Sequence, residues 1–364
     1  MRTRESRARL KILVILCALA LIVPAAGGAG AASIASPAAR AREAPAPSCL
    51  FELGRDSAIL AGLERMYRME YEEADSLFAA KMAPGSAGRA FFLGLVAFNR
   101  FNDRGDAAAL SRAESLWTAV DTLPAPGADG SAAISNRALY RGLSALQLSY
   151  VAGLRDQSLR AARLGRKAAA QLRPVADQAE AAAALALYDY YKADLLKGMD
   201  WVPFVKGDMA GPLRRLETNL PRSRYLGDVL QASLLWLYYD AGRYDEGLRR
   251  IDAFLSRYPD NRAYRQIRAD FLFRRGRDDD LGAARAIHES LMAEYASLRL
   301  SCPEPTCLPI GYLSSVGNLV KIHARAGREE LRRNYADIWF AEGFRPYHRW
   351  LPVSLKREVE SRGK

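Results

Sequence analysis

Two stretches of this 364-residue chain fall on one template of roughly 34 residues, the length of a helix–turn–helix repeat unit. In the clearer stretch, Leu234, Tyr238, Gly242, Tyr244, Gly247, Ile251, Phe254 and Pro259 supply the pattern: large apolar and aromatic side chains, a turn, a small residue, further apolar residues and a helix stop. In the other, Gly62, Tyr71, Ala74 and Phe78 keep the same offsets, with Pro84 near the stop. A unit of this kind cannot bury its apolar face alone, so neighbouring units must stack. The small residues Gly62, Ala74 and Gly247 let two helices approach closely. Phe78, Ile251 and Phe254 then fill the gap to the next pair. Pro84 and Pro259 end the second helix of each pair, because proline has no N–H to continue it.

Gly and Pro punctuate the rest of the chain at intervals that suit helical hairpins. The pattern predicts helix pairs at about 57–69 with 71–83, 87–101 with 107–123, and 132–152 with 156–172. A fourth pair begins at 176, runs through Tyr191, and continues after an irregular stretch as a short helix at about 212–219. Three more follow at 225–241 with 244–257, 261–275 with 280–297, and 309–326 with 329–341. Residues 350–361 suit a final capping helix. Alanine and arginine are abundant, and both favour helix. Alternating Val, Ile and Thr runs are nearly absent, so no sheet is expected.

These residues resemble the tetratricopeptide repeat (TPR) family. The likeness is good over 55–84 and 228–259, looser over 87–124 and 261–297, and weak over 131–220. It implies an all-α, right-handed α-solenoid of six or seven antiparallel hairpins over residues 51–345, with 346–364 as a capping tail. The arrangement is also similar to exported bacterial TPR proteins without a defined activity. In the family, the inner face of each first helix lines a concave groove for a partner segment. Carried over by register, that face includes Tyr67, Phe98, Asn99, Trp236, Tyr239, Asp240, Asp270 and Arg274. The family members that hold carboxylate-ended peptides use paired Lys and Asn. This chain offers only Asn99 and Arg274, so that mode is not supported. The resemblance implies a non-catalytic scaffold or adaptor for a protein or peptide partner.

The N-terminus reads as an export signal over residues 1–35. Arg2, Arg4, Arg7, Arg9 and Lys11 precede a 12-residue apolar core, Ile12 to Val23, then Pro24 and a small-residue tract with cuts such as Ala29-Gly30-Ala31 and Ser33-Ile34-Ala35. The alternative is an uncleaved anchor, for which the core is short against a span of about 20 residues. Leu16 before Cys17 does not fit a lipoprotein signal. Residues 36–50 form a Pro/Ala-rich linker. Localisation to the periplasm or outer envelope follows. The leader carries +4 of the formal charge of +12, leaving about +8. That surplus suits weak association with anionic envelope surfaces, or simply solubility. Without a basic stripe interleaved with aromatics, nucleic acid is not expected as a partner.

Cys302 and Cys307 flank Pro-Glu-Pro-Thr and suit a short disulfide staple in an oxidising compartment. Free thiols are the alternative, and a metal site would need a second ligand pair that the neighbourhood lacks. Cys49 is left odd. The aromatic segment 198–212 contains Trp201, Phe204 and Asp208. It reads either as a functional loop, possible home of an envelope enzyme's acid at Asp200 or Asp208, or as a loop folded onto the helices. A third reading is a membrane-surface protein held by arginine-rich outer helices. His288, His323 and His348 are isolated, and no nucleophile elbow, P-loop, zinc-protease or dinucleotide motif is present. Neither a cofactor nor a metal is expected. Asp278-Asp279-Asp280 is expected to cap the helix that follows.

Overall fold

The computed structural model describes residues 56–124, 131–196, 209–301, 310–351 and 353–362. The leader, the linker, Cys49, the 197–208 segment with Trp201, Phe204 and Asp208, and both Cys302 and Cys307 lie outside the described residues. Among the described residues there are fifteen α-helices, three 3-10 turns and no β-strand. In chain order the α-helices are α1 (Asp56–Tyr67), α2 (Tyr71–Lys81), α3 (Ala87–Arg104), α4 (Ala107–Ala119), α5 (Ser131–Leu154), α6 (Ser158–Leu172), α7 (Ala179–Leu196) and α8 (Ala210–Asn219). Then come α9 (Gly227–Asp240), α10 (Tyr244–Leu255), α11 (Arg262–Arg275), α12 (Asp280–Ser301), α13 (Ile310–Arg325), α14 (Glu329–Phe340) and α15 (Val353–Arg362).

Each odd-numbered helix from α1 to α13 packs on the even-numbered helix that follows it, making seven adjacent pairs, and α15 packs back on α13. Local chemistry sets the ends. Ser86 Oγ accepts from Arg89 N–H at 3.2 Å to open α3. Asp106 does the same for α4 through Ala109 N–H, and Asn261 for α11 through Tyr264 N–H. Left-handed glycines Gly105 and Gly276 close α3 and α11.

The pairs close up because small residues meet large ones. A Cβ on Gly94 would stand 2.4 Å from the Trp117 ring, and one on Gly247 would stand 2.0 Å from Phe271. Gly62 faces Phe78 in the same way. Only hydrogen fits at these contacts, so the repeat's small positions are dictated by the aromatic opposite.

Consecutive pairs touch, as stacking requires, but the array also returns on itself. Tyr67 at the end of α1 packs on Phe254 and Tyr258 at the end of α10, with ring centroids 5.6 and 5.4 Å apart. The Asn261 amide donates to Tyr67 O at 2.8 Å. Helix α3 touches both α11 and α13. In an open solenoid each repeat meets only its neighbours; here the first two pairs also meet the last three. One continuous apolar core therefore runs from Ile59 through Ile322. A second core, around Val316, Trp339 and Val359, fastens α13, α14 and α15.

Asp280, the last of the acidic run, opens α12, where negative charge suits the helix N-terminus. Asp280 takes Arg275 in a two-point ion pair at 2.8 and 2.6 Å and accepts from Arg277 N–H at 2.9 Å. Its carboxylate thus ties the start of α12 to the preceding turn.

Candidate functional site

The first helices of successive pairs present a connected line of aromatic and charged side chains. On α5, Tyr150 is 53% exposed and sets its ring edge-on to Phe98 of α3 at 5.8 Å. On α7, Tyr191 is 43% exposed and stands perpendicular to Tyr190 at 6.0 Å. On α9, Trp236 is 39% exposed and meets Tyr239 edge-to-face at 5.6 Å. Tyr239 packs on Phe271 of α11 at 5.5 Å, and its hydroxyl accepts from Arg274 Nε at 2.7 Å.

Charges complete the line. Arg274 Nη2 pairs with Glu358 Oε1 of α15 at 3.0 Å, and Lys321 Nζ of α13 pairs with Glu358 Oε2 at 3.0 Å. The Lys321 ammonium is buried, lies 5.0 Å over the Phe273 ring and donates to Asn318 Oδ1 at 3.1 Å. Asp270 is partly covered; burial pushes its carboxyl up to about 6, with Lys321 and Arg274 pulling the other way. Asp240 is exposed on α9 and faces the tyrosines of α7.

Burial also raises the phenols along this line. Tyr239 is pushed up to about 12 by burial and then by Asp270. Tyr190 is pushed up to about 12 by burial and then by Asp240 and Asp194. Burial raises Tyr150 and Tyr191 too, although both keep about half of their surface in solvent. Tyr and Trp exposed in this way provide large, rigid contact area.

The residues expected from the sequence divide into two groups. Trp236, Tyr239, Asp240, Asp270 and Arg274 come together on this wall. Phe98 is buried against Trp117 at 5.6 Å. The Asn99 amide is spent on Leu95 O at 2.9 Å and on Met66 Sδ at 3.4 Å. Tyr67 is buried at the seam between α1 and α10. Tyr150, Tyr191, Lys321 and Glu358 join the wall without having been singled out from the sequence. The first three share the inward register of first helices, which was the available signal; Glu358 arrives from the tail and carried none.

The three histidines pack. His288 is fully enclosed, with burial holding it down to about 3. His323 stacks on Tyr335 at 5.4 Å, and His348 stacks on Trp339 at 4.6 Å. Among the described residues, no group of three or more His, Cys, Asp or Glu side chains converges on a metal-sized site. No helix among them is long and apolar enough to cross a membrane. No protein-family model, curated protein or solved structure matches this chain.

Proposed function

We propose that this chain is a TPR-like α-solenoid curled back on itself, working as a non-catalytic scaffold or adaptor in the periplasm or at the cell envelope. Its partner is a protein segment laid across the wall formed by α5, α7, α9 and α11. The observation that carries this reading is the row Tyr150, Tyr191 and Trp236: three large aromatic side chains on successive first helices, each with more than a third of its surface open. Isolated exposed aromatics are ordinary, whereas large aromatics exposed on three successive first helices suit a docking surface. The flanking charges, Asp240 and Asp270 against Arg274 and Lys321, give a mixed-sign rim suited to fixing register.

The test is capture of partners from native envelope by the wild-type chain and by Trp236→Ala with Tyr239→Ala. Each truncated aromatic at the centre of an interface costs about 2 kcal/mol or more. The double variant is therefore expected to lose partner recovery while keeping its helical circular dichroism. Unchanged recovery removes this wall as the docking surface.

A further inference from the structure

Positive charge is concentrated in the middle of the chain. Residues 131–224 hold 15 Lys and Arg against 8 Asp and Glu, a surplus of +7, whereas everything outside the leader sums to about +8. The centre of this surplus is α6 with the turn that follows it. From 157 to 176 there are five cations, Arg160, Arg163, Arg166, Lys167 and Arg173, and no acid.

Packing puts these cations outside. Gly165, Ala168, Ala169 and Leu172 are the buried side of α6, and a Cβ on Gly165 would stand 3.3 Å from Tyr188 of α7 and 3.5 Å from Ser149 of α5. The other side carries Leu159, Arg163, Arg166, Ala170 and Arg173, spaced by whole helical turns and all exposed. Leu159 keeps 53% of its surface in solvent.

Nearby carboxylates are engaged elsewhere. Asp121 pairs with Lys167. Asp189 Oδ2 holds Arg215 Nη2 at 2.6 Å, and Glu217 Oε1 holds Arg243 Nη1 at 2.7 Å. Glu180 is buried and accepts from Arg224 N–H at 3.0 Å. The exposed Asp156 and Asp177 lie beyond either end of the stretch. Among the described residues no carboxylate pairs with Arg160, Arg163 or Arg173; Arg160 Nη1 donates to Gln157 Oε1 at 3.0 Å. The arrangement works against the isolated helix. Like charges three and four residues apart repel. Arg160 also stands in the first turn, where the helix end is itself positive and no acid balances it. A negative surface laid along this face removes both penalties.

We propose that the outer face of α6 rests on an anionic lipid bilayer. Leu159 enters the headgroup layer, and Arg160, Arg163, Arg166 and Arg173 lie among the lipid phosphates. The contact is peripheral, in keeping with the lack of a membrane-spanning helix among the described residues. A bilayer fits this face better than an acidic protein or a nucleic-acid strand. Protein interfaces centre on large anchors such as Trp and Tyr, and nucleic-acid strands stack on aromatics; α6 has no aromatic residue. Attraction to charged lipid needs no such anchor and grows by about fivefold with each Lys or Arg. The face belongs to a second helix and uses no residue of the aromatic wall, so it stands apart from the docking proposal.

Partition of the full chain onto vesicles tests this, with phosphatidylglycerol mixed into phosphatidylcholine and pure phosphatidylcholine beside it. All variants share the same N-terminal residues, so differences between them report the face. Arg160→Gln with Arg163→Gln and Arg173→Gln is expected to weaken partition onto the mixed vesicles by about a hundredfold, at about fivefold per cation, with unchanged circular dichroism. Lysine at the same three positions is expected to bind as the wild type does, because a charged bilayer reads charge and not the guanidinium fork. Leu159→Gln is expected to weaken partition several-fold, and high salt to weaken the wild type strongly. Removing three exposed cations elsewhere, Lys81→Gln with Arg328→Gln and Arg333→Gln, is expected to change little. Trp236→Ala with Tyr239→Ala is expected to partition normally, so failure of this face and failure of the wall are read separately. Equal partition of the wild type and the triple Gln variant overturns the proposal. So does an equal loss in the control triple. A triple Lys variant as weak as the triple Gln variant also overturns it, and assigns the face to a partner that reads guanidinium geometry, such as an acidic protein.

Discussion

Arg262 grips Asp103 at two points, Nε to Oδ1 at 2.7 Å and Nη2 to Oδ2 at 2.6 Å, across 159 residues of sequence. Asp103 closes α3 and is only 3% exposed; Arg262 opens α11. The pair therefore joins the second helix hairpin to the sixth. Desolvating both ions is expensive, and parallel hydrogen bonds in this fork geometry offset the cost. Arg262→Ala strands a buried carboxylate and is expected to lower unfolding free energy by about 3–5 kcal/mol. Replacing both partners with apolar residues, Asp103→Leu with Arg262→Met, is expected to cost far less, since no buried charge remains. Urea unfolding of the three proteins measures the difference. A loss below about 1 kcal/mol in Arg262→Ala, the level of an exposed pair, contradicts a closing role.

Glycines in this fold fall into two kinds, and alanine separates them by sign. At Gly247 an added methyl would meet Phe271 at 2.0 Å, and at Gly94 it would meet Trp117, whose indole N–H already donates to Phe91 O at 3.2 Å. Neither ring has room to retreat, because Trp117 and Phe271 are fully buried. Gly247→Ala and Gly94→Ala are each expected to destabilise by about 1–3 kcal/mol, despite alanine's better helix propensity. Gly282 lies in α12 with nothing within 4 Å of the added carbon. Gly282→Ala is expected to stabilise by about 0.5–1 kcal/mol. Thermal melts with shifts in the same direction at all three positions contradict the close-packing account.

The contrast also shows what was legible in advance. Gly62, Ala74, Phe78, Gly247, Ile251 and Phe254 announce a helix pair because each acts within roughly one 34-residue unit, where local periodicity carries the signal. All seven expected pairs are present, with ends moved by a few residues. Closure is different in kind. Tyr67 with Asn261, and Asp103 with Arg262, meet across distances that no local pattern encodes. The inward register of α1 and α3 made Tyr67 and Phe98 read as groove residues; the returning helices cover α1, and the ring of Trp117 covers Phe98. Asp280 opens α12 as the acidic run suggested, but its two-point pairing with Arg275, five residues earlier, carried no local signal.

Two titratable groups should shape the pH dependence of stability in opposite directions. His288 is fully enclosed with both ring nitrogens unpaired, and burial, then Lys321, hold it down to about 3 from 6.5. The unfolded chain therefore takes up this proton first. The contribution of His288 is complete above about pH 6.5 and is lost as pH falls toward 3, on the order of 5 kcal/mol over the full span. Asp270 runs the other way, because burial raises it to about 6 from 3.8. Its protonated form suits the fold, so its contribution is present below pH 3.8 and is lost as pH rises through 6. His288→Leu is expected to flatten the acid limb of a melting-temperature profile, and Asp270→Asn to raise stability at pH 8 with little change at pH 4. Profiles that superimpose on the wild type at both ends remove both assignments.

Glu358 links the C-terminal helix to the wall through two cations at once, Arg274 and the buried Lys321. Leu355 and Val359 on the same helix anchor in the core beneath α13 and α14. The apolar contacts hold α15 in place, and the carboxylate sets its orientation. Glu358→Gln keeps the shape but removes the one carboxylate paired directly with Lys321, which is then left with Asn318, the Phe273 ring and the longer-range charge of Asp270. Weakening the balance of a buried ammonium is costly, and the structure can lower that cost by letting the last helix shift so that water reaches Lys321. Hydrogen exchange is therefore expected to quicken across 353–362 in Glu358→Gln, while α3 and α11 keep their protection, since local opening involves only the element that is released. Val359→Ala, which weakens the anchor without touching the charge, should quicken exchange in the same helix and leave Arg274 and Lys321 paired. Uniform loss of protection through α3, α11 and α15 in Glu358→Gln would show that the carboxylate supports the whole core rather than the placement of its own helix.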